Sequence, residues 1–275
     1  MKLDAAEKRA AQMLSPFSDE ALVEARYIVS HLAGIEPNRL RFSNAEIDEK
    51  EIEKIVLKRR EGTPLQYILG RWWFYKSEFL VGEGVLIPRQ DTETLVEAAV
   101  EFIENIKEPK VCDLCSGSGC IAISIAGDRA DAEVTAVEKY DKAYDYLLKN
   151  IEHNGVKNLK PILADVLEGA FGEYDLIVSN PPYIKDSDKE ILSKEVLNEP
   201  HTALFGGEDG LYFYREITKI WKMALKRGGK LAFEVGINED RAVADILKEN
   251  GFVNIGFKND LIGIPRVVFG TVEDI

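Results

Sequence analysis

From residue 88 onward, short apolar runs alternate with stretches of helical period, and this alternation restricts the fold more than any other feature. The strand candidates are KVCDL (110–114), AEVTAVE (132–138), LKPILAD (159–165), YDLIVSN (174–180), KLAFEVG (230–236), FVNIGF (252–257) and PRVVFG (265–270). Helical stretches fall between them at 92–106, 119–127, 140–154, 209–226 and 239–250. Such spacing winds a parallel sheet with helices on both faces. The last two runs are joined by a loop too short for a crossover helix, so the seventh strand is expected to return antiparallel. The fold class is therefore α/β, a doubly wound, seven-stranded, mostly parallel sheet.

Ahead of that region the character differs. Leu22, Ala25, Val29 and Leu32 recur at helical spacing after the cap candidate Ser18, and Gly34 with Pro37 ends the run. A second amphipathic helix is expected after Ser43, with Ile47, Ile52, Ile55 and Val56 on one side. Residues 71–87 are aromatic, β-prone and broken by Gly82 and Gly84, which predicts a hairpin. Its aromatics, Trp72 to Tyr75 and Phe79, are read as packing rather than as a base-stacking platform. The expected division is a helical bundle over 1–70, a linking hairpin over 71–87 and one α/β domain over 88–275.

Charge narrows the function. The chain of 275 residues has a net charge of −13. Twelve acids against eleven bases occupy residues 1–70, so the imbalance lies almost wholly beyond them. A surface that acidic repels phosphate backbones and anionic lipid. Direct nucleic-acid and membrane binding are not expected, and no apolar run approaches the ~20 residues of a membrane span. Cys112, Cys115 and Cys120 are an odd number, and no histidine spacing completes a zinc pattern. They read as small buried side chains, with no metal site, in a cytoplasmic protein.

The first predicted strand runs into CSGSGCIA and then an apolar helix. Gly117, Gly119 and Ala122 fit G-x-G-x-x-[GA], in which glycines admit close backbone approach and a helix start offers free N–H groups. Glu138 closes the second strand, 19 residues after Gly119, where a carboxylate can accept both hydroxyls of a ribose. Asp113 and Asp165 then favour S-adenosylmethionine over a dinucleotide. Asp113 precedes the loop in D-x-x-x-G-x-G, in reach of an ammonium, and Asp165 ends the third strand beside the expected adenine. All three acids fall at carboxyl ends of strands, where open α/β sheets bind ligands.

The fourth strand runs into Asn180-Pro181-Pro182-Tyr183. Two prolines fix φ and remove two donors, leaving a rigid turn with carbonyl acceptors, one amide and one ring. That set suits a planar nitrogen nucleophile. The Asn180 oxygen and the Pro181 carbonyl accept its two hydrogens, while Tyr183 packs on its plane. Accepting both hydrogens polarises the group and partly localises its lone pair. Transfer of a sulfonium methyl is then an in-line displacement governed by alignment, and the proton leaves late, to water.

These residues resemble class I S-adenosylmethionine-dependent methyltransferases and, more narrowly, the release-factor glutamine methyltransferase family (HemK/PrmC). The resemblance rests on PLQYILG (64–70), FY (74–75), VLIPR (85–89), TETLVE (92–97), DLCSGSGCIAI (113–123), DLIVSNPPYI (175–184), EP followed by ALFGGEDGLYFYREI (203–217), LKRGG (225–229) and RVVFG (266–270). It implies a Rossmann-like methyltransferase that modifies the side-chain amide nitrogen (N5) of the glutamine in the Gly-Gly-Gln loop of peptide-chain release factors, with S-adenosylhomocysteine as product. It further implies that Asp113, Cys115, Ser116, Gly117, Ser118, Gly119, Glu138, Asp165, Val166 and Asn180 hold the cofactor. Asn180, Pro181, Pro182 and Tyr183 would grip the glutamine, Arg89 would sit near the substrate channel, and residues 1–70 would dock the release factor. The enzyme is expected to be a monomer.

Three positions depart from the family pattern: Cys115-Ser116 stands for Gly-Thr, Glu138 for Asp, and Gln90-Asp91 for Pro-Glu. A positive φ at Cys115 would cost stability. The competing enzyme reading is an adenine-N6 DNA methyltransferase, which uses the same turn but must flip a base and grip phosphates. The acidic catalytic half argues against it. A nicotinamide oxidoreductase would leave the Asn-Pro-Pro-Tyr turn unexplained.

Overall fold

The computed structural model describes residues 1–273, so the last two positions of the expected 88–275 domain lie outside the described residues. Contacts divide the chain into two compact units: Met1–Arg71 with Ser193–Asn198, and Trp72–Leu192 with Glu199 onward.

The first unit contains α1 (Leu3–Leu14), α2 (Ala21–Ala33), α3 (Glu49–Arg60) and the short α4 (Leu65–Leu69). Ala6, Ala10, Leu14, Ile28, Val29, Ile52 and Val56 recur every three or four residues and form its core. Gly34 ends α2 in the left-handed conformation at φ 64°, as its position predicts. The other two expected helix starts shift. Ser18 does not cap α2; its hydroxyl accepts from the Glu20 amide and donates to Glu24 Oε1. The third helix begins only at Glu49, where the Asp48 carboxylate accepts the Lys50 amide, a stronger cap than the distant Ser43. Residues 193–198, sequence-distant, join this unit because Arg59 Nη2 binds both Glu24 (2.7 Å) and Glu195 (2.8 Å) and Asn198 donates to the Gly62 carbonyl.

A hairpin follows, β1 (Arg71–Phe74) and β2 (Ser77–Leu80), which from Trp72 onward belongs to the second unit. Phe74 and Phe79 are buried and meet edge-to-face with centroids 5.9 Å apart, so this part of the aromatic run is packing. Then come α5 (Glu93–Phe102), β3 (Lys110–Leu114), α6 (Cys120–Asp128), β4 (Glu133–Glu138), α7 (Asp141–Asn154), β5 (Leu159–Leu163) and β6 (Tyr174–Ser179). After α8 (Lys194–Leu197), which lies in the first unit, follow α9 (Tyr212–Trp221), β7 (Leu225–Glu234), α10 (Asp240–Glu249), β8 (Phe252–Asn259) and β9 (Pro265–Val272). The helix expected over 209–226 is shorter because Gly210, at φ 77°, and an Asp209 carboxylate accepting the Leu211 amide hold its first residues in a turn.

The seven-stranded sheet has the order β5-β4-β3-β6-β7-β9-β8. The first five of these strands run parallel, and β9, last in the chain, lies antiparallel to both β7 and β8. Side chains alternate between two cores. Val111, Leu176, Val178, Ala232 and Val267 face α5, α6 and α7, whereas Cys112, Leu114, Ile177, Leu231, Phe233 and Val268 face α9 and α10. The free thiols of Cys112 and Cys120 are buried on opposite faces. No described helix is long and apolar enough to cross a membrane.

The helical unit provides its own test. Arg59 and Glu24 are buried together, so Arg59→Ala strands a carboxylate without its partner. The substitution is expected to cost about 3–5 kcal/mol, read as a fall in the thermal unfolding midpoint, whereas an exposed-pair change such as Lys54→Ala is expected to leave the midpoint nearly unmoved.

Candidate functional site

A cleft with about 990 Å³ of space between its walls, its open mouth included, lies at the carboxyl ends of β3, β4 and β6. The β3–β6 ladder pairs Leu114 with Ser179, and the Ser179 hydroxyl donates to the Leu114 carbonyl at 2.8 Å. The glycine loop and the Asn-Pro-Pro-Tyr turn therefore leave the sheet side by side.

The loop wall is built from Cys115, Ser116, Gly117 and Ser118, with Gly119 following them at the N-cap of α6. Cys115, Gly117 and Gly119 all have positive φ, 60°, 54° and 81°. At Cys115, where glycine would be at ease, an L-residue carries a steric cost of about 1–2 kcal/mol. Glu138 holds the loop in place. Its Oε2 accepts the Gly117 amide at 2.8 Å, and its Oε1 accepts the amides of Lys139 (2.9 Å) and Tyr140 (2.8 Å). A carboxylate oxygen takes two donors, so Oε1 is filled and Oε2 keeps one position for a ligand hydroxyl. Burial raises the Glu138 carboxyl, and the three amides oppose that rise.

Asp113 is placed differently from expectation. It is fully buried, lies outside the cleft lining, and its Oδ2 accepts the Ala122 amide at the start of α6 while Oδ1 has no partner. Strand alternation turns it toward the α6 face, away from the open edge. Burial pushes its carboxyl up to about 8, against the Ser116 and Ala122 hydrogen bonds. Asp165 does line the cleft, next to buried Val166. Its Oδ2 meets Lys139 Nζ at 2.7 Å and its Oδ1 accepts the Leu167 amide. Burial favours the neutral acid there, but the Lys139 ammonium and the amide prevail and hold the carboxyl below its usual range.

On the second wall, Asn180 and Pro182 line the cleft, while Pro181 between them is buried and is not among the lining residues. Asn180 Nδ2 donates to the Thr92 hydroxyl at 3.3 Å. The Tyr183 ring is half-buried and turned toward Gly236, with the α9–α10 core, and is not part of the lining. Its expected place on the plane of a bound nitrogen group is thus not the one it occupies here. The turn is clamped from outside by the GGEDG loop. The Ile184 amide donates to Leu204 O and the Gly206 amide to Ile184 O, and a Cβ on Gly206 would lie 2.5 Å from the Pro182 carbonyl oxygen. Only glycine permits that approach.

Arg89 lines the mouth, paired with the buried carboxylate of Glu199, whose Oε2 also accepts the Ile87 amide. Thr92, Lys139, Glu199 and Phe213 are lining or bracing residues that the sequence reading did not assign. Glu199 and Thr92 were visible only as the first letters of the Glu-Pro pair and of TETLVE (92–97), with no role attached, and Lys139 carried no signal; their contacts join segments far apart in sequence.

Comparison with known proteins follows the same division. A family profile described as the methyltransferase small domain matches residues 91–210, and one described as the PrmC N-terminal domain matches residues 5–70. The chain is similar to a release factor glutamine methyltransferase from Clostridium acetobutylicum, 38% identical over 98% of this chain and 98% of that one. Another protein of that description, from Fusobacterium nucleatum subsp. nucleatum, is 41% identical over 90% of this chain and 72% of its own. Among solved structures, the hMettl16 catalytic domain in complex with an MAT2A 3′UTR hairpin covers 94% of this chain and 84% of that one at a TM-score of 0.58; at 15% identity it speaks to the fold alone.

The buried acids predict a pH dependence of stability. Asp113 binds its proton more tightly folded than unfolded. Its contribution is therefore complete below its unfolded pKa of about 4 and is lost as pH rises through about 8. The ligand-free protein is expected to unfold at a lower temperature at about pH 8.5 than at about pH 6, and Asp113→Asn is expected to flatten that slope. An unchanged slope in the variant would remove Asp113 as its source.

Proposed function

The chain belongs to the release factor glutamine methyltransferase family, and from that premise we propose that it transfers a methyl group from S-adenosylmethionine to the side-chain amide nitrogen of the glutamine in a Gly-Gly-Gln loop of peptide-chain release factors. The observation that carries this reading is the rigid Asn180-Pro181-Pro182-Tyr183 turn set beside a glycine loop at the end of one pair of parallel strands. Release factors are the protein substrates, and the helical unit, residues 1–70, has the role of docking them. The adenine reading shares the turn, but family membership and the charge of the catalytic half favour a protein substrate.

The cleft fits S-adenosylmethionine in its donor set. Glu138 Oε2 has an open acceptor position, Asp165 offers a carboxylate, Val166 and Phe213 supply apolar wall, and the loop Cys115, Ser116, Gly117, Ser118 presents backbone. Asn180 borders the same cleft on the turn side. Asp113 acts from behind, by holding the start of α6 and so the shape of the loop. Bound there, the cofactor supplies an electrophilic methyl for in-line displacement.

The remaining work belongs to the chain. Asn180 Oδ1 and the Pro181 carbonyl accept the two hydrogens of the glutamine amide, turning its lone pair toward the methyl. Amide nitrogen is a weak nucleophile, so alignment and exclusion of water supply most of the acceleration. Pro182 and Tyr183 make the turn stiff enough for that alignment, with Tyr183 bracing it from the core side. Arg89, held by Glu199, borders the entrance and meets the substrate loop there. The proton of the methylated amide passes to water after transfer.

Two substitutions separate the parts. Asn180→Ala is expected to abolish turnover of a release factor while cofactor affinity by calorimetry stays within about twofold; normal turnover would sink the mechanism. Glu138→Ala is expected to weaken cofactor binding by about 1.5–3 kcal/mol, the range for hydrogen bonds to a charged group. A release factor with its loop glutamine replaced, and duplex DNA, complete the assay; methylation of either overturns the assignment.

A further inference from the structure

The β8–β9 hairpin ends in a tight tip whose backbone is specified by the residues at its two ends. The Gly263 amide donates to the Asp260 carbonyl at 3.0 Å, and the Asp260 amide to the Ile264 carbonyl at 2.8 Å. Gly263 has φ 87°, so Leu261 and Ile262 are the central pair of a turn closed by a left-handed glycine. Asp260 Oδ1 also accepts the amides of Ile262 (3.0 Å) and Ile264 (2.9 Å). Asp260 and Gly263 thus meet the backbone requirements of the tip. The two central positions can hold almost any residue, and small polar ones are usual in turns. Here they hold leucine and isoleucine, the first fully exposed and the second 80% exposed. Side chains so exposed bury almost no apolar surface and contribute little to the fold.

The tip is tied to the cleft. β7 runs parallel to β6 and β9 antiparallel to β7, so the hairpin tip stands at the sheet edge on which the cleft opens. Arg266, at the start of β9, donates through Nε to Asp260 Oδ2 at 3.1 Å and pairs through Nη2 with Asp91 Oδ2 at 2.7 Å. Asp91 lies in sequence between Arg89 and Thr92, both of which line the cleft. In strand order, the Gly236–Glu239 loop at the end of β7 comes between the hairpin and the Asn-Pro-Pro-Tyr turn, and its Ile237 is 58% exposed. Glu239 Oε2 accepts the Gly236 amide at 3.2 Å and holds that loop closed. Two carboxylates therefore stiffen two neighbouring loops, each of which presents aliphatic side chains to solvent.

We propose that the β8–β9 hairpin tip, Leu261 and Ile262, is a docking point for the body of the release factor, an aliphatic contact beside the glutamine-bearing loop. It rests on the proposed methylation of a release-factor glutamine. A folded protein can place no more than a loop in a cleft of about 990 Å³, so its body rests on the rim. β8 lies three strands from β6, about 15 Å at the usual strand spacing. An interface of standard size spans roughly 30 Å, so the hairpin stands within that footprint.

The chemistry of the tip selects the class of partner. It has no aromatic ring to stack on a base. It also offers no cation to a phosphate or an anionic lipid, since Arg266 is paired with two carboxylates. Aliphatic side chains on a stiff turn suit an apolar hollow on another protein, and the stiffness avoids the ordering cost of a flexible loop.

The test uses the full-length enzyme, a release factor and labelled S-adenosylmethionine. Leu261→Ser combined with Ile262→Ser is expected to raise KM for the release factor at least tenfold, with kcat and cofactor affinity within about twofold. A release factor with its loop glutamine replaced by alanine is expected to lose affinity for this variant by the same factor, which separates docking from chemistry. Leu261→Asn alone, a residue favoured in turns, is expected to raise KM at least threefold and serves should the double variant fail to fold. Met223 is the control: it is 81% exposed in the turn Lys222–Ala224 that precedes β7, at the opposite edge of the sheet, and Met223→Ser is expected to leave KM unchanged. Unchanged KM and affinity in the double variant, or an equal rise in Met223→Ser, overturns the inference. A parent dimer in sedimentation that the double variant converts to monomer assigns the tip to a second copy of the chain and overturns it as well. Full methylation by the parent with an unchanged KM in the double variant refutes the docking point alone, whereas a release factor left unmethylated by the parent refutes the reading beneath it.

Discussion

Two parallel strands lying side by side, β3 and β6, are the constraint on which the rest depends. Their last paired residues, Leu114 and Ser179, are joined across the ladder and again by the Ser179 hydroxyl on the Leu114 carbonyl. A buried hydrogen bond of this kind contributes only about 1 kcal/mol net, but its position gives it leverage. The glycine loop leaves from one side of it and the Asn-Pro-Pro-Tyr turn from the other. A shift of one residue in that register would turn each side chain to the opposite face, and the two halves of the cleft would no longer share an opening.

Around this pair the carboxylates divide their labour by the number of hydrogen bonds each has left. Glu138 gives three of its acceptor positions to backbone amides and leaves one open. Asp165 is held by Lys139 and the Leu167 amide, and stays ionised at the cleft wall. Asp113 and Glu234 lie beneath the surface, each with one oxygen lacking a partner. Their burial favours the neutral acid, so both titrate nearer neutrality than ordinary carboxyls do. Similar letters in the sequence thus end in different surroundings: an acceptor at the cleft, a loop brace and a carboxyl buried in the core.

The turn shows the same economy of means. Its prolines fix the backbone, and the loop containing Gly206 and Gly210 lies close enough to hold it from outside. Strain is stored nearby as well, in the left-handed backbone of Cys115, a residue type that pays sterically for that conformation. The surrounding core tolerates it because the loop is pinned at Ser116, Gly117 and Ala122 by separate hydrogen bonds.

Much of this was legible in the chain. Alternating apolar runs specified the strands within a few residues and the antiparallel return of β9, because side-chain periodicity and loop length act locally. The glycine loop, Glu138, Asp165 and the Asn-Pro-Pro-Tyr turn were readable for the same reason: each is a contiguous signal attached to a strand end. Some boundaries moved where caps and glycines outweighed periodicity, as at Asp48 and Gly210. Other features belong to tertiary structure alone. That Asp113 faces α6, that Tyr183 faces Gly236, that residues 193–198 pack with the helical unit, and that Asn180 meets Thr92 all follow from which segments meet. Local pattern determines what each segment is; burial and hydrogen-bond partners, set only when distant segments pack, decide what each acid does.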